Sequence, residues 1–169
     1  KLINQVVLID YIIIILGEGT MYDNTVTVFN KHINENGNVY WYPHVISGCY
    51  LMEDKTANVA KTGLDSADSV SLHIRYARSD GKVLVCDKEY VPPKEWLKLK
   101  DCDGKITFSN GDFFYSGEYP EAVINDEDYT SRQGGGFYDY MNREKDGVYL
   151  ITNIGGPYTV IPHFEIGGK

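Results

Sequence analysis

The residues best suited to contact another molecule are aromatic and stand in two short clusters. Tyr40, Trp41 and Tyr42 follow one another, and Tyr138 and Tyr140 flank a single aspartate. Aromatic rings with a polar edge are enriched in protein interfaces and can also stack on sugars. In a strand, alternation places Tyr40 and Tyr42 on one face, where they serve as core or interface residues. We expect these aromatic residues chiefly to pack inside the fold, and we name all five as candidate interface residues, with glycan binding as a further alternative.

Other polar motifs do not have the spacing of known metal or phosphate sites. Residues 101–112 (DCDGKITFSNGD) have acidic ends, but the glycine falls at the fourth position and no glutamate closes the loop. An EF-hand calcium loop needs both features. Residues 134–136 are three glycines without the Lys-Ser/Thr that completes a phosphate loop. The four histidines are scattered along the chain: His32, His44, His73 and His163. We expect structural or exposed histidines, no metal site and no cofactor.

Nothing in the sequence combines a nucleophile with a partner base. The chain has neither a G-x-S-x-G nor an H-E-x-x-H motif. Cys49, Cys86 and Cys102 are widely spaced, with no C-x-x-C pair and no histidine at a ligand spacing, so we expect reduced core thiols in an intracellular protein. The sequence therefore predicts no catalytic residues and a protein that is not an enzyme.

The elements that carry these residues are predicted to be short β-strands. Alternating residues 25–30 (TVTVFN) and 39–45 (VYWYPHV) flank a polar turn and predict a first hairpin. Residues 53–68 are polar and rich in turn formers, which is typical of a long excursion. Residues 69–76 (SVSLHIRY) form the clearest strand, with every second residue apolar. A turn at 79–81 then leads into another strand at 82–86.

The second half of the chain continues the β pattern with a little helix. Pro92 and Pro93 predict an extended crossing towards Trp96. Asn-Gly at 110–111 stands between two apolar segments and is the strongest short signal for a hairpin. Residues 120–128 and 137–143 predict short helical segments, and residues 134–136 a glycine joint. The strands at 148–154 and 159–166 predict a final hairpin that turns at 155–157 (GGP).

Together these elements predict an all-β fold with one or two short helices, either a small β-barrel or a barrel-like sandwich. A chain of 169 residues is one domain by length. Closing a barrel also protects strand edges that would otherwise pair with other chains. The predicted domain spans residues 21–169.

The net charge of −8 argues against tight binding to free nucleic acid or to an anionic membrane, since both repel an acidic surface. Hydrophobic residues make up 43% of the chain and charged residues 24%, which is ordinary for a globular protein. Composition therefore gives no reason to expect free nucleic acid or an anionic membrane as a tight partner.

Residues 1–20 differ in character from the rest. They combine an isoleucine-rich run with Gly-Glu-Gly-Thr, and the run is far shorter than the roughly 20 residues of a membrane span. Residues 16–20 can be encoded by DNA containing AGGAG, a ribosome-binding sequence, just upstream of an ATG codon for Met21. We predict that residues 1–20 are a non-native translated leader. A genuine N-terminal strand or arm, or a membrane or export segment, are the alternatives.

Several segments occur in an order that resembles a known group of proteins. They are "TVTVFNK", "WYPHVISGCYL", "KTGLDSADSVSLHIRY", "YVPPKEW", "ITFSNGDFFYSGE" and "PHFEIGGK". This series resembles an uncharacterised family of small proteins from the head-to-tail gene module of tailed phages and prophages of Gram-positive bacteria. "SVSLHIRY" and a final pair of strands that includes "GVYLITNI" also resemble phage head-closure proteins, which are small β-barrels that assemble as rings beneath the portal.

The resemblance implies a structural protein of the virion, a head-tail connector of the head-closure type. Its implied partners are the portal or adaptor and the tail proteins, with copies of itself in a ring and genomic DNA passing through the lumen without specific binding. It implies location in the virion, and in the host cytoplasm during assembly, with no membrane contact. Another minor capsid or tail-terminator protein is the alternative within the virion. A surface- or glycan-binding β-domain is the alternative of another class, and it requires Tyr40, Trp41 and Tyr138 to be exposed together.

Overall fold

A computed structural model describes residues 21–54, 58–60, 63–65 and 69–169. The predicted leader at 1–20 and parts of the predicted excursion at 53–68 lie outside the described residues. The described strands are β1 (Asn24–Ile33), β2 (Val39–Asp54), β3 (Asn58–Ala60), β4 (Gly63–Asp65), β5 (Ser69–Arg75), β6 (Ala77–Ser79), β7 (Lys82–Val85), β8 (Lys88–Tyr90), β9 (Lys105–Ile106), β10 (Phe113–Tyr115), β11 (Ile124–Asn125), β12 (Val148–Tyr158) and β13 (His163–Gly168). The described helices are α1 (Pro93–Trp96), α2 (Glu127–Gln133) and α3 (Phe137–Glu144).

Six antiparallel strands close into a β-barrel, which confirms the predicted all-β fold. Around the barrel the order is β1, β10, β12, β13, β5 and β2, and β2 pairs with β1 to complete the circle. Strand β2 is long enough to serve two neighbours: residues 39–49 pair with β1, and residues 50–54 pair with β5. Its early part also pairs with the short β11. Continuous pairing leaves the barrel strands few free edges.

The apolar side chains of the alternating strands fill the interior of the barrel, as predicted. In β5 the apolar side chains Val70, Leu72 and Ile74 are all buried, as the pattern at 69–76 predicts. In β1, Val28 packs into the apolar cluster that contains these three side chains. Phe29, on the other side of the strand, packs into a second apolar cluster. Because successive side chains in a strand point to opposite faces, one strand can contribute to two apolar clusters.

A smaller sheet packs against the barrel. Strands β6, β7, β8 and β9 form it in that order, and β8 and β9 are parallel. The ring centroid of Tyr90 lies 4.7 Å from that of Phe164 in β13, and that of Phe108 lies 4.9 Å from it. These contacts join the small sheet to the interior of the barrel, in a single apolar cluster.

The second apolar cluster joins the helices to the outer face of the barrel. Phe29 and Phe113 stack with ring centroids 4.4 Å apart, and Phe137 of α3 lies 5.4 Å from Phe29. Met141, one turn further along α3, is fully buried in the same cluster. The spacing of four residues places Phe137 and Met141 on one helix face, so α3 packs on the barrel through that face.

The hairpin predicted around Asn110 and Gly111 is wrong. The chain does turn there, with the Asp112 N–H donating to the Ser109 carbonyl over 3.1 Å. The flanking segments pair elsewhere, however, β9 with β8 and β10 with β1 and β12. The side chain of Asp112 is the physical reason, since its carboxylate accepts the N–H groups of Ser109 and Lys31 and draws the turn onto β1.

Three further predicted details differ from the structure. The last hairpin turns at residues 159–162 rather than at 155–157, because β12 continues through Gly155, Gly156 and Pro157 as a strand with an irregular register. The helix predicted at 120–128 begins only at Glu127. The predicted extended crossing after Pro92 is a short helix from Pro93 instead, which suits proline because the first turn of a helix needs no N–H donor there.

Candidate functional site

The three predicted aromatic residues of β2 lie on different sides of that strand, and Tyr138 and Tyr140 lie on α3. Trp41 is only 4% exposed and packs into the outer cluster, with its ring centroid 5.0 Å from that of Phe113. Tyr42 faces the opposite way and makes an edge contact with Trp96 at 5.8 Å. Tyr40 is half-buried and lies opposite His32 in the register of β1 and β2. Alternation is thus observed, but the core residue is the tryptophan rather than the tyrosines.

Of the predicted aromatic residues, Trp41 and Tyr138 meet at one cleft. The cleft has a volume of about 340 Å³, and Lys31, Asp126 and Asp139 supply its charged lining. The Lys31 ammonium lies 5.7 Å from the centroid of the Trp41 ring. Since the indole is almost wholly covered, the cleft presents little of the flat aromatic surface on which a sugar would stack.

Tyr140 belongs to helix packing rather than to this cleft. Its ring lies 4.8 Å from that of Tyr129 in α2 and 6.2 Å from that of Phe137. The structure therefore brings together two of the five predicted interface residues and separates the other three.

Asp126 is the polar centre of the Trp41–Tyr138 cleft. Its Oδ1 accepts the indole N–H of Trp41 over 2.7 Å and the backbone N–H of Phe137 over 2.8 Å. One carboxylate therefore ties β2 to the start of α3. The glycine at position 136 allows the Asp126 carboxylate to approach the start of α3, because a Cβ at that position would collide with the carboxylate.

A second cleft surrounds His44. This His44 cleft has a volume of about 410 Å³ and is lined by Tyr42, Pro43, His44, Lys88, Asp101, Cys102, Asp103, Gly104, Glu121 and Val123. His44 is 5% exposed, and neither ring nitrogen has a hydrogen-bond partner. Burial lowers the pKa of His44 to about 4, with a smaller contribution from Lys88, so the ring is neutral at physiological pH.

An ion pair lies beside His44. The Lys88 ammonium contacts the Glu121 carboxylate at 2.7 Å, and the same oxygen accepts the backbone N–H of Val45 at 2.9 Å. The pair therefore holds the segment before β11 against β2. Because Lys88 is neutralised within the cleft, it is a poor binding group for an additional anion.

The sulfur and phenol groups of the His44 cleft are not activated. Burial raises the pKa of the Cys102 thiol, and burial also raises the pKa of Tyr42, with Cys102 and Asp101 adding to it. Both groups are protonated at neutral pH, and a protonated thiol is a weak nucleophile. The arrangement is suited to hydrogen bonding and packing.

The most exposed apolar feature is the tip of the hairpin formed by β12 and β13. Val160 is 89% exposed, Ile161 is 61% exposed and Tyr158 is 45% exposed. We call residues 158–161 the hairpin tip. Exposed apolar side chains that lie close together at the end of a hairpin are available for contact with another protein.

The sequence contained weak signals for some of these features. Val160 and Ile161 are apolar and lie in the segment predicted as the last strand, so nothing in the local pattern marked them as a tip. His44 follows Pro43 within an alternating strand, and alternation alone does not show that both ring nitrogens lack partners. The thiol of Cys86 was expected in the core and is exposed, because it lies in the tight turn between β7 and β8 with φ of 45°.

Neither a cluster of metal ligands nor a membrane-spanning helix occurs in the part of the chain that the structure describes. Within it, no group of three or more His, Cys, Asp or Glu side chains has the arrangement of a metal site. Also within it, every helix is too short or too polar to span a membrane.

Comparison with known proteins identifies a family for the chain. No curated protein sequence and no solved structure is significantly similar to the chain. Residues 21–169, however, match the family of unknown function DUF6751. The match extends from the segment before β1 to the end of β13 and so includes both clefts and the hairpin tip. The chain belongs to the DUF6751 family.

Proposed function

We propose that this protein is a structural component of a tailed-phage virion, a head-tail connector of the head-closure type that assembles as a ring below the portal. The observation that carries the proposal is the hairpin tip, where Val160 and Ile161 are exposed at the end of a hairpin that belongs to a closed barrel. The proposed role is structural and requires no catalysis.

The closed barrel and the apolar tip favour assembly through projecting elements. Because the six strands pair around a circle, little edge is left for a neighbour to extend the sheet. When a partner covers exposed apolar side chains, their removal from water lowers the free energy of the complex. Contacts through the hairpin tip are therefore the most favourable route to a ring or to a complex with portal and tail proteins.

The charge of the chain supports the same role. DNA must slide through a connector without being held, and a protein that carries a net charge of −8 repels phosphates where a basic protein would bind them. The resemblance of six segments and of the last strands to proteins of the head-to-tail module is the second support. Another minor capsid protein or a tail terminator is the alternative within the virion.

The glycan-binding alternative is not proposed. It requires Tyr40, Trp41 and Tyr138 to be exposed together, and Trp41 is 4% exposed with its N–H bound to Asp126.

The first test is the order of the neighbouring genes. A portal gene and a major capsid gene upstream, with tail genes downstream, are expected, and the absence of any phage gene nearby would overturn the proposal. The second test is co-expression with the portal and adaptor proteins of the same genome. We expect a monomer when the protein is purified alone and rings on the portal complex, seen by mass photometry and electron microscopy.

Variants of the hairpin tip make the test specific. Val160→Ser with Ile161→Ser should leave the monomer folded, since both side chains are exposed, but should abolish ring formation on the portal complex. Ile33→Ser with Leu97→Ser is the matched control, because it removes two exposed apolar side chains, 47% and 62% exposed, that belong neither to the tip nor to either cleft. Equal ring formation by both double variants would show that the tip is not the contact.

A further inference from the structure

We propose that the hairpin tip of one copy of this protein inserts into an uncharged cleft of a neighbouring copy. The inference rests on the proposed ring and names the surface that the tip contacts. We call this surface the Tyr90 cleft, and it is lined by Tyr90, Pro93, Phe108, Ser109, Asn110, Asn153 and Ile154.

The Tyr90 cleft lies where the small sheet meets the barrel. Tyr90 ends β8, and Asn153 and Ile154 belong to β12. The cleft has a volume of about 450 Å³, within the range of about 300–1,000 Å³ that is typical of binding pockets. Tyr90 and Ile154 are half-buried and supply apolar surface. The cleft can therefore cover a few apolar side chains of a partner.

The Tyr90 cleft carries no charge. All of its lining residues are uncharged, whereas three other clefts of the described residues each include charged side chains. A charged group that entered the Tyr90 cleft would lose its hydration without an opposite charge to replace it. The lining therefore favours an uncharged occupant.

The polar groups of the cleft suit the peptide groups of a turn. Asn110 and Asn153 are exposed, and neither their side-chain amides nor the Tyr90 hydroxyl has a hydrogen-bond partner among the described residues. A side-chain amide offers two N–H donors and a carbonyl acceptor, and a phenol both donates and accepts. These groups can bond to the N–H and C=O groups that a turn presents to solvent.

The hairpin tip has the matching properties. Residues 158–161 are Tyr, Thr, Val and Ile, all uncharged, and the apolar side chains among them are exposed. The peptide groups of Thr159 and Val160 make no backbone hydrogen bond in the described part of the chain. An apolar segment with available peptide groups thus faces solvent on a protein that has an uncharged cleft with available amides.

The hairpin tip is also held in place before it docks. The Tyr76 hydroxyl donates to the Tyr158 carbonyl over 2.7 Å, and the Tyr76 N–H donates to the Pro162 carbonyl over 3.3 Å. A residue next to β5 therefore anchors both ends of the tip. Because the tip is already ordered, little conformational entropy is lost when it is covered.

The tip that fills the cleft belongs to another copy. Asn153 and Ile154 lie on the same strand as Tyr158, and that strand pairs with β13, so the tip cannot fold back onto its own cleft. Contact between two different surfaces of identical chains is head-to-tail, and it forms a ring when the rotation between copies closes.

The contact is small, which agrees with a protein that is a monomer on its own. The hairpin tip, residues 158–161, is far smaller than the roughly 20–30 residues that each partner contributes to a stable interface. A portal that gathers several copies raises their effective concentration and so compensates for a weak contact between neighbours.

The test is paramagnetic relaxation enhancement, an NMR method that detects weak contacts. A nitroxide is attached through a thioether at Thr159→Cys in a Cys86→Ser background, since Cys86 is exposed and the other two cysteines are buried. The labelled protein is mixed at millimolar concentration with unlabelled, ¹⁵N-enriched Cys86→Ser protein, so that only contacts between copies broaden signals. We expect the largest broadening at the backbone amides of Ser109 and Asn110.

A nitroxide at Lys145→Cys is the control, because Lys145 is exposed and lies just after α3, and it should not broaden the cleft signals. No broadening of the cleft by the label at position 159, or equal broadening by both labels, would overturn the inference. The largest broadening at the tip itself would also overturn it, because tips would then contact one another.

A pair of double variants tests the cleft directly. Asn110→Glu with Asn153→Glu places two carboxylates in the uncharged cleft and should abolish both the broadening and ring formation on the portal complex. Asn36→Glu with Asn142→Glu adds the same charge at two other exposed asparagines and should change neither. The spectrum of each variant reports whether it remains folded.

The two proposals can fail separately. Rings formed equally by the wild type and by the cleft variant would overturn the tip-to-cleft contact and leave the connector role intact. Absence of rings from the wild type would instead count against the connector role, and the broadening would still decide whether the tip binds the cleft.

Discussion

Removing the Asp126 carboxylate should weaken the attachment of helix α3 to the barrel. In Asp126→Ala, the indole N–H of Trp41 and the backbone N–H of Phe137 lose their common acceptor, which lies 2.7 and 2.8 Å away in the native protein. Trp41 is 4% exposed, so water cannot readily replace the lost bond. The outer cluster around Phe29 and Phe113 would then lose part of its support.

The magnitude follows from the two bonds. A buried donor left without a partner costs about 1–3 kcal/mol, and Asp126 is only half-buried, which reduces the effect. We expect Asp126→Ala to lower the free energy of unfolding by about 2–4 kcal/mol, a large part of the 5–15 kcal/mol typical of a domain. Asp126→Asn is the matched variant, because both bonds go to the same oxygen and an amide oxygen can accept them. Its cost should stay below about 1 kcal/mol.

Urea unfolding followed by tryptophan fluorescence measures both variants, since Trp41 and Trp96 are buried and their emission shifts on exposure. The NMR signal of the Trp41 indole N–H should move strongly in Asp126→Ala and little in Asp126→Asn. The reasoning is refuted if the alanine and asparagine variants are equally stable, because the loss would then not come from hydrogen bonds to Oδ1.

Three further predictions use the same unfolding assay. Gly136→Ala should destabilise the fold by about 1–3 kcal/mol, because its Cβ would displace the Asp126 carboxylate; a stability equal to wild type would show that the segment before α3 moves freely. Burial raises the pKa of Asp112 to about 7, so its contribution to stability is fully present below the unfolded pKa and is lost as the pH rises through 7. Relative to Asp112→Asn, the wild type should therefore lose up to about 4 kcal/mol between pH 4 and 8. A gain over that range would mean that the N–H donors of Asn30, Lys31 and Ser109 outweigh burial. Burial lowers the pKa of His44 to about 4, so its contribution is present above pH 6.5 and is lost as the pH falls towards 4, by up to about 3 kcal/mol. Relative to His44→Gln the wild type should weaken over that range, and parallel pH profiles would contradict the burial of a neutral ring.

The β-strands of the barrel could be read from alternation because burial of one face is a local property of the pattern. Residues 69–76 alternate strictly, and Val70, Leu72, Ile74 and Tyr76 are buried as expected. The first hairpin, β1 with β2, is likewise predicted by alternation around a polar turn. Helix α3 was also expected, with nearly the observed bounds.

Turns were harder to predict because distant side chains decide them. Asn110 and Gly111 have the residue types of a hairpin turn, yet the flanking segments join different sheets. The cause is Asp112, whose carboxylate accepts N–H groups from Asn30 and Lys31 on β1, about 80 residues earlier in the chain. No local pattern contains that contact.

The candidate sites depended still more on tertiary structure. Trp41 and Tyr138 were both named from the sequence, and the fold brings them to one cleft. His44 was named only as one of the scattered histidines, because no local pattern reveals its burial or its cleft neighbours Lys88, Cys102 and Glu121, which come from three separate segments.

By itself, the sequence determined the all-β class, most of the barrel strands and the acidic character of the chain, because alternation and charge are carried by neighbouring residues. Only the tertiary structure decided that the barrel closes between β1 and β2, that Trp41 rather than Tyr40 or Tyr42 is a core residue, and that Val160 and Ile161 form an exposed tip. These features depend on which strands pair and where β12 ends. Such choices minimise the free energy of the whole chain and cannot be read from any one segment.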